Sequence, residues 1–102
     1  MDRLETLRRL VAANPRDTFA HYALGMALAG AGQFEEAFAE FGTVLSLDEN
    51  YTATYFQAGQ ALERLGRLEE AREMYRRGIE VTRRLGQPHA RDQLEGGLRL
   101  LE

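Results

Sequence analysis

The stretch GMALAGAGQFEEA, residues 25–37, decides how the chain is interpreted. It holds three glycines within eight residues, and two glutamates follow. Glycine-rich loops cradle phosphates in many nucleotide-binding proteins, so the stretch raises the hypothesis of a nucleotide site. The same glycines also suit helix ends and close helix packing, because glycine lacks a side chain.

The stretch recurs 34 residues later as GQALERLGRLEEA, residues 59–71. Aligning residues 18–51 with 52–85 gives eight identities, together with similar pairs such as Tyr22/Phe56 and Phe41/Tyr75. The identical positions in the first unit are Thr18, Gly25, Ala27, Leu28, Gly32, Glu35, Glu36 and Ala37. A fixed period of this length is the signature of a repeat protein, so each glycine must be interpreted within a repeat.

Apolar residues inside each unit follow a helical period. Steps of three and four residues place several of them on one helix face, and Gly32 then interrupts the pattern. The first face comprises Phe19, Tyr22, Met26 and Ala29, and a second pattern contains Phe34, Ala37, Phe38, Phe41, Val44 and Leu45. We predict that Gly32 and Gly66 end helices with positive φ and that the glutamate pairs open the following helices. Each unit is therefore predicted to be a helix–turn–helix.

This pattern resembles the tetratricopeptide repeat over residues 14 to about 85. In the first unit the resemblance is carried by Leu24, Gly25, Leu28, Gly32, Phe34, Ala37, Phe41, Leu47 and Asp48. In the second it is carried by Gly59, Leu62, Gly66, Leu68, Ala71 and Tyr75. The chain departs from the family pattern at His21 and Tyr55, which stand where an early tryptophan is usual. The proline that commonly closes a unit is absent after Asp48.

The resemblance implies an all-α fold, a right-handed α-α superhelix of about six antiparallel helices. We expect a single domain over residues 1–102. It would contain an N-terminal helix at 2–13, repeats at 18–51 and 52–85, and a C-terminal capping helix at 88–101. Terminal helices of this kind shield the ends of a solenoid, because each unit buries its apolar face only against its neighbours.

Composition limits the classes of function. The chain has 102 residues, no cysteine and a net charge of −3, and all thirteen basic residues are arginine. We therefore expect no disulfide or thiolate chemistry and no general affinity for nucleic acid. No apolar run approaches the roughly 18 residues of a membrane-spanning helix, so no membrane association is predicted. The default expectation is a bacterial cytoplasmic protein.

The motifs that suggested chemistry have simpler explanations. A phosphate-binding loop would require lysine after its last glycine, and the chain has no lysine. His21 and His89 lack further ligands at metal-site spacing, and the repeated glutamate pairs fit helix starts better than acid–base catalysis. Arginines interleave with glutamates along residues 64–84, which is typical of an ion-paired surface. We predict no catalytic residue, metal or cofactor.

What remains is a surface for a partner. The resemblance implies that the first helix of each unit lines a concave groove, here formed by Phe19, Tyr22, Met26, Phe56, Gln60, Glu63 and Arg64, with Ala29, Gly30 and Ala53 beside them. Tyr22, Met26 and Phe56 stand at or near the positions where one family variant places the polar and basic groups of a carboxylate clamp. Arg91 is the only basic candidate for such a clamp, so a clamp is not expected.

We therefore predict non-catalytic binding of a protein or peptide in this groove. The partner is expected to bear basic residues, because the first repeat is rich in acids. The alternative for Phe19, Tyr22 and Phe56 is simple packing against neighbouring helices. The alternative for the whole protein is self-association into a homo-oligomer, or a structural role as a piece of a longer solenoid.

Overall fold

A computed structural model describes residues 2–102. They form six helices: α1 (Arg3–Ala13), α2 (Thr18–Gly30), α3 (Phe34–Leu47), α4 (Ala53–Arg64), α5 (Leu68–Leu85) and α6 (Pro88–Leu100). No strand occurs in this part of the chain. The predicted all-α repeat fold is confirmed.

The helix ends follow the predicted chemistry. Gly32 and Gly66 have φ of +78° and +75°. Residues other than glycine adopt this left-handed conformation only at an energetic cost. The glutamate pairs lie in the first turns of α3 and α5, where they complement the positive end of the helix dipole. Asp2 and Asp17 cap α1 and α2 by accepting hydrogen bonds from backbone N–H groups.

The helices pack in chain order as two layers. Each helix packs against the next one along the chain, and α2, α4 and α6 also touch one another in succession. These three helices therefore form one side of the molecule, and α1, α3 and α5 form the other. The arrangement places the predicted groove residues of α2 and α4 on the same side.

Each repeat closes around a glycine and an aromatic ring. Gly25 of α2 lies against Phe41 of α3, and Gly59 of α4 lies against Tyr75 of α5. A Cβ atom on Gly25 would fall 2.5 Å from a ring carbon of Phe41, which is closer than packing allows. Both rings are fully buried. The predicted packing role of Gly25 is therefore confirmed, and the repeated glycine permits two helices to approach closely.

The last helix covers the far side of the second repeat. Leu94 is 1% exposed and reaches Gly78 of α5, whose missing side chain leaves room for it. Gly97 lies beside the ring of Tyr75. The guanidinium of Arg72 donates to the backbone carbonyl of Leu101 at 2.7 Å and 3.2 Å. These contacts fix α6 against α5, and α6 also packs against α4.

The outer surface of α5 is ion-paired, as predicted from its sequence. Glutamates three positions away lie within 4.0 Å of Arg67, Arg72 and Arg83. Arg67 also reaches Glu35 of the first repeat at 3.2 Å. None of the helices described here is long and apolar enough to cross a membrane.

Candidate binding groove

The predicted site residues come from matching positions of α2 and α4. On α2, Phe19, Tyr22 and Met26 are separated by three and four residues, so they share one helix face. One face of α4 likewise carries Phe56, Gln60 and Glu63, and Arg64 lies at the end of that helix. Because α2 and α4 touch, the two faces adjoin.

The three aromatic residues differ in how much surface they present. Phe19 is 64% exposed, whereas Tyr22 and Phe56 are half-buried. The ring of Tyr22 lies 5.9 Å from that of Phe41 and 5.2 Å from that of Tyr51, measured between centroids. These are ordinary tilted aromatic contacts. Phe56 makes a similar contact with Tyr75 at 6.0 Å. Packing therefore takes most of the surface of Tyr22 and Phe56, while Phe19 remains available.

A recess between α2 and α4 brings three of the predicted residues together. Its volume is about 290 Å³, and we call it the α2–α4 recess. It is lined by Met26, Ala29, Gly30, Phe34, Gln57, Gln60, Ala61 and Arg64. The predicted residues Phe19, Tyr22, Phe56 and Glu63 do not line it. Phe34, Gln57 and Ala61 were not predicted, although Gln57 and Ala61 fall within helical reach of Gln60 and Arg64.

Glu63 and Gln60 are tied to the core. The hydroxyl of Tyr75 donates to the carboxylate of Glu63 in a short hydrogen bond and accepts one from the Gln60 amide at 3.2 Å. Burial and the neighbouring Glu63 raise the pKa of the Tyr75 hydroxyl far above its usual value, so it stays a donor. Glu63 therefore acts here as a fixed acceptor for a core tyrosine.

Arg64 is the charged group of the α2–α4 recess. Its guanidinium lies over the ring of Phe34, 4.6 Å from the centroid, in a cation–π contact. Within the described part of the chain, no carboxylate lies within ion-pair distance of Arg64. The Phe34 ring orients the guanidinium, and the N–H groups of Arg64 remain available to a ligand.

A second recess lies on the other side of α2. Its volume is about 520 Å³, and we call it the α1–α2 recess. It is lined by Arg3, Leu4, Met26, Ala27, Gly30 and Ala31. Only a shielding role was predicted for α1, and the contribution of Arg3 and Leu4 to a recess was not predicted. Antiparallel packing of α1 on α2 places the start of one helix beside the end of the other.

Several acids of the first repeat are engaged by this chain's own cations. Glu36 pairs with Arg8 at 3.1 Å, and Glu35 pairs with Arg67 at 3.2 Å. Glu40 lies 2.7 Å from the buried imidazole of His21. No acid lines either recess among residues 2–102. The acidity of this repeat therefore gives little ground for expecting a basic partner in the groove.

His21 occupies a structural position, as its place in the repeat suggested. Its Nδ1 lies 2.7 Å from Glu40 Oε1 and its Nε2 lies 2.7 Å from the carbonyl oxygen of Pro15. Burial alone would lower the pKa of His21, but these two acceptors and the charge of Asp17 outweigh it and raise the pKa. No group of three or more potential metal ligands occurs within residues 2–102.

Comparison with known proteins agrees with this architecture. The family model described as "Tetratricopeptide repeat" matches residues 17–84. An uncharacterised protein of Methanocaldococcus jannaschii is 35% identical over 65 residues, which cover 64% of this chain and 76% of that protein. The crystal structure of a tetratricopeptide repeat domain protein from Salinibacter ruber has a TM-score of 0.77 at 30% identity, over 83% of this chain and 94% of that chain.

Another similar structure is the second tetratricopeptide repeat domain of human RPAP3, solved in complex with the HSP70 peptide SGPTIEEVD. Its TM-score is 0.83, and the match covers 96% of this chain and 77% of that chain. At 22% identity this likeness concerns the fold alone.

Proposed function

Because the chain belongs to the tetratricopeptide-repeat family, we propose that it is a non-catalytic module that binds a segment of another protein in the groove along α2 and α4. The observation that carries this proposal is the α2–α4 recess, which joins apolar Met26 and polar Gln60 and Arg64 in one open depression. A concave site with an apolar floor and a few polar groups is the usual form of a ligand site.

The exposed apolar side chains on this face support a protein ligand. Phe19 is 64% exposed and Met26 is 36% exposed, although burial of either would stabilise the protein. Aromatic and methionine side chains adapt well to the apolar residues of a partner. The peptide bound by the RPAP3 domain supports a peptide as the kind of ligand that this fold can hold.

The test is to find peptides and locate where they bind. Peptides selected by the purified protein from a random twelve-residue display library would be titrated into isotope-labelled protein, and backbone amide shifts would be followed by NMR. We expect the largest shifts in α2 and α4, near Met26, Gln60 and Arg64. Met26→Glu should weaken binding about ten-fold, equivalent to about 1.4 kcal/mol.

Leu68→Glu is the matched control for that substitution. Leu68 is 42% exposed and lies at the start of α5, outside both recesses, so its replacement should leave affinity unchanged. Shifts confined to α5 and α6, or equal losses for the two variants, would contradict the groove proposal.

Self-association is the second candidate. It is favoured by the outer side of α6, where Leu100 is 86% exposed near a recess of about 360 Å³ that includes Ile79 and Leu98. Light scattering at several concentrations would show an average mass that rises with concentration, and Leu100→Glu would abolish the rise. A constant monomer mass up to high concentration would exclude self-association.

A further inference from the structure

We propose that the segment bound in this groove carries an apolar side chain flanked by acidic residues, which pair with Arg3 at one end and Arg64 at the other. This inference rests on the proposed function, because it concerns the ligand of the same site. It differs from the sequence-based expectation of a basic partner.

The two recesses form one path across the molecule. Met26 and Gly30 line both the α1–α2 recess and the α2–α4 recess. A Cβ atom placed on Gly30 would meet no other atom within 4 Å, so the helix surface between the recesses is open there. An extended segment that crosses α2 at Gly30 can therefore contact α1, α2 and α4 together.

Two arginines supply the charge along this path. Arg3 and Arg64 are the only charged side chains that line the two recesses within residues 2–102. Neither forms an ion pair in that part of the chain, whereas six of the other eleven arginines do. The groove therefore has a cationic group at each end, and complementary charge in the partner means carboxylates.

Three carboxylates at the ends of α1, α3 and α4 are bound by other groups. Glu63 accepts hydrogen bonds from Tyr75 and Gln60, and Asp2 accepts one from the backbone N–H of Glu5. Glu36 is paired with Arg8. No carboxylate of the described residues lies within ion-pair distance of Arg3 or Arg64, so both guanidinium groups can receive a carboxylate from outside.

The middle of the path has few polar groups. Between the two arginines the lining has two polar side chains, Gln57 and Gln60. The rest is apolar or small and comprises Leu4, Met26, Ala27, Ala29, Gly30, Ala31, Phe34 and Ala61. Such a floor suits an aliphatic or aromatic side chain, since methionine adapts its shape to an apolar neighbour. A run of phosphates would find a cation only at each end of this path, so an acidic peptide with an apolar side chain fits the groove better than a nucleic acid does.

The test compares the peptides that different variants select from the same random twelve-residue display library. The wild-type protein should enrich peptides in which Asp or Glu stands on both sides of an apolar residue. The double variant Arg3→Glu, Arg64→Glu should lose that enrichment and bind the wild-type peptides at least about ten-fold more weakly, since two favourable charge pairs become repulsive.

Two controls make the result specific. The double variant Arg9→Glu, Arg16→Glu carries the same change in net charge on exposed arginines outside both recesses, and it should select the same peptides as the wild type. The milder Arg3→Gln, Arg64→Gln variant tests the site if charge reversal disturbs folding, which circular dichroism would report. It should still weaken binding of the acidic peptides several-fold.

The outcomes separate this inference from the proposed function. Selected peptides that are basic or uncharged, yet shift the amides of α2 and α4, would overturn the inference and leave the groove proposal standing. Equal loss of binding for the two charge-reversed variants would also overturn it, since the effect would then come from net charge. Peptides that bind elsewhere, or no enrichment at all, would count against both proposals.

Discussion

Gly25 and Gly42 both lie in the interior of a helix, but their surroundings differ. A Cβ atom on Gly25 would collide with the ring of Phe41, whereas one on Gly42 would meet no atom within 4 Å. Glycine in a helix interior costs roughly 1 kcal/mol relative to alanine, because the unfolded chain has more freedom to lose. Close packing compensates for that cost at Gly25, and nothing in the structure does so at Gly42.

This contrast gives a prediction about stability. Gly42→Ala should raise the free energy of unfolding by about 0.5–1 kcal/mol, while Gly25→Ala should lower it by about 1–3 kcal/mol through overpacking against Phe41. Urea denaturation of the two variants and the wild type would measure both changes. A loss of stability in Gly42→Ala would show that this position has a packing role that the structure does not reveal.

The buried imidazole of His21 gives a prediction about pH. The groups that face it are Glu40 on α3, the carbonyl of Pro15, and Asp17 at the start of α2, and all of them favour the protonated ring. Its pKa is therefore higher in the folded protein than in the unfolded chain, where it lies near 6.5. The stability that His21 contributes should be complete below about pH 6.5 and should be lost as pH rises through the folded-state pKa.

Thermal unfolding between pH 5.5 and 8.5 would measure this effect. The wild type and the exposed control His89→Gln should both lose stability over this range, and His21→Phe should show a smaller loss. If His21→Phe kept the full pH dependence of the wild type, another group would have to be responsible.

At the scale of the helix, Leu94 and Gly97 are the buried residues of α6, so Leu94 supplies its most deeply buried side chain. Leu94 is 1% exposed, whereas Leu100 on the same helix is 86% exposed. Leu94→Ala should therefore cost about 2–5 kcal/mol of stability, because it opens a cavity against α5. Leu100→Ala should change stability by less than about 0.5 kcal/mol.

Chemical denaturation of the two variants would measure these costs. Similar small effects would mean that α6 contributes little to the fold. A large effect of Leu100→Ala would instead indicate that its exposed side chain is covered in solution, as self-association would require.

The helices themselves were predictable because their signals are local. Gly32 and Gly66 end helices through a conformation that glycine adopts readily, and the apolar period identifies the faces between them. The groove was only partly predictable, because its details depend on contacts between distant residues. Tyr22 packs against Tyr51 of a loop, and Glu63 binds the hydroxyl of Tyr75. No periodic pattern links either pair.

At the scale of the whole molecule, stability should not be uniform. No residue of α1 is buried, and this helix packs against α2, with one exposed ion pair from Arg8 to Glu36 of α3. Six residues of α4 are buried, and α4 contacts helices on both sides. Native-state hydrogen exchange should therefore show the least protection in α1 and the greatest in α4, because local opening requires fewer contacts to break at the end of the stack. Equal protection of the two helices would contradict this gradient.

The position of α1 has a consequence for any ligand that reaches Arg3. The apparent affinity of such a ligand is its intrinsic affinity multiplied by the fraction of molecules in which α1 is docked. Leu7 and Val11 hold α1 against the core without lining either recess. Substitutions at these two positions can therefore tune how tightly a partner is held while leaving every residue that touches it unchanged.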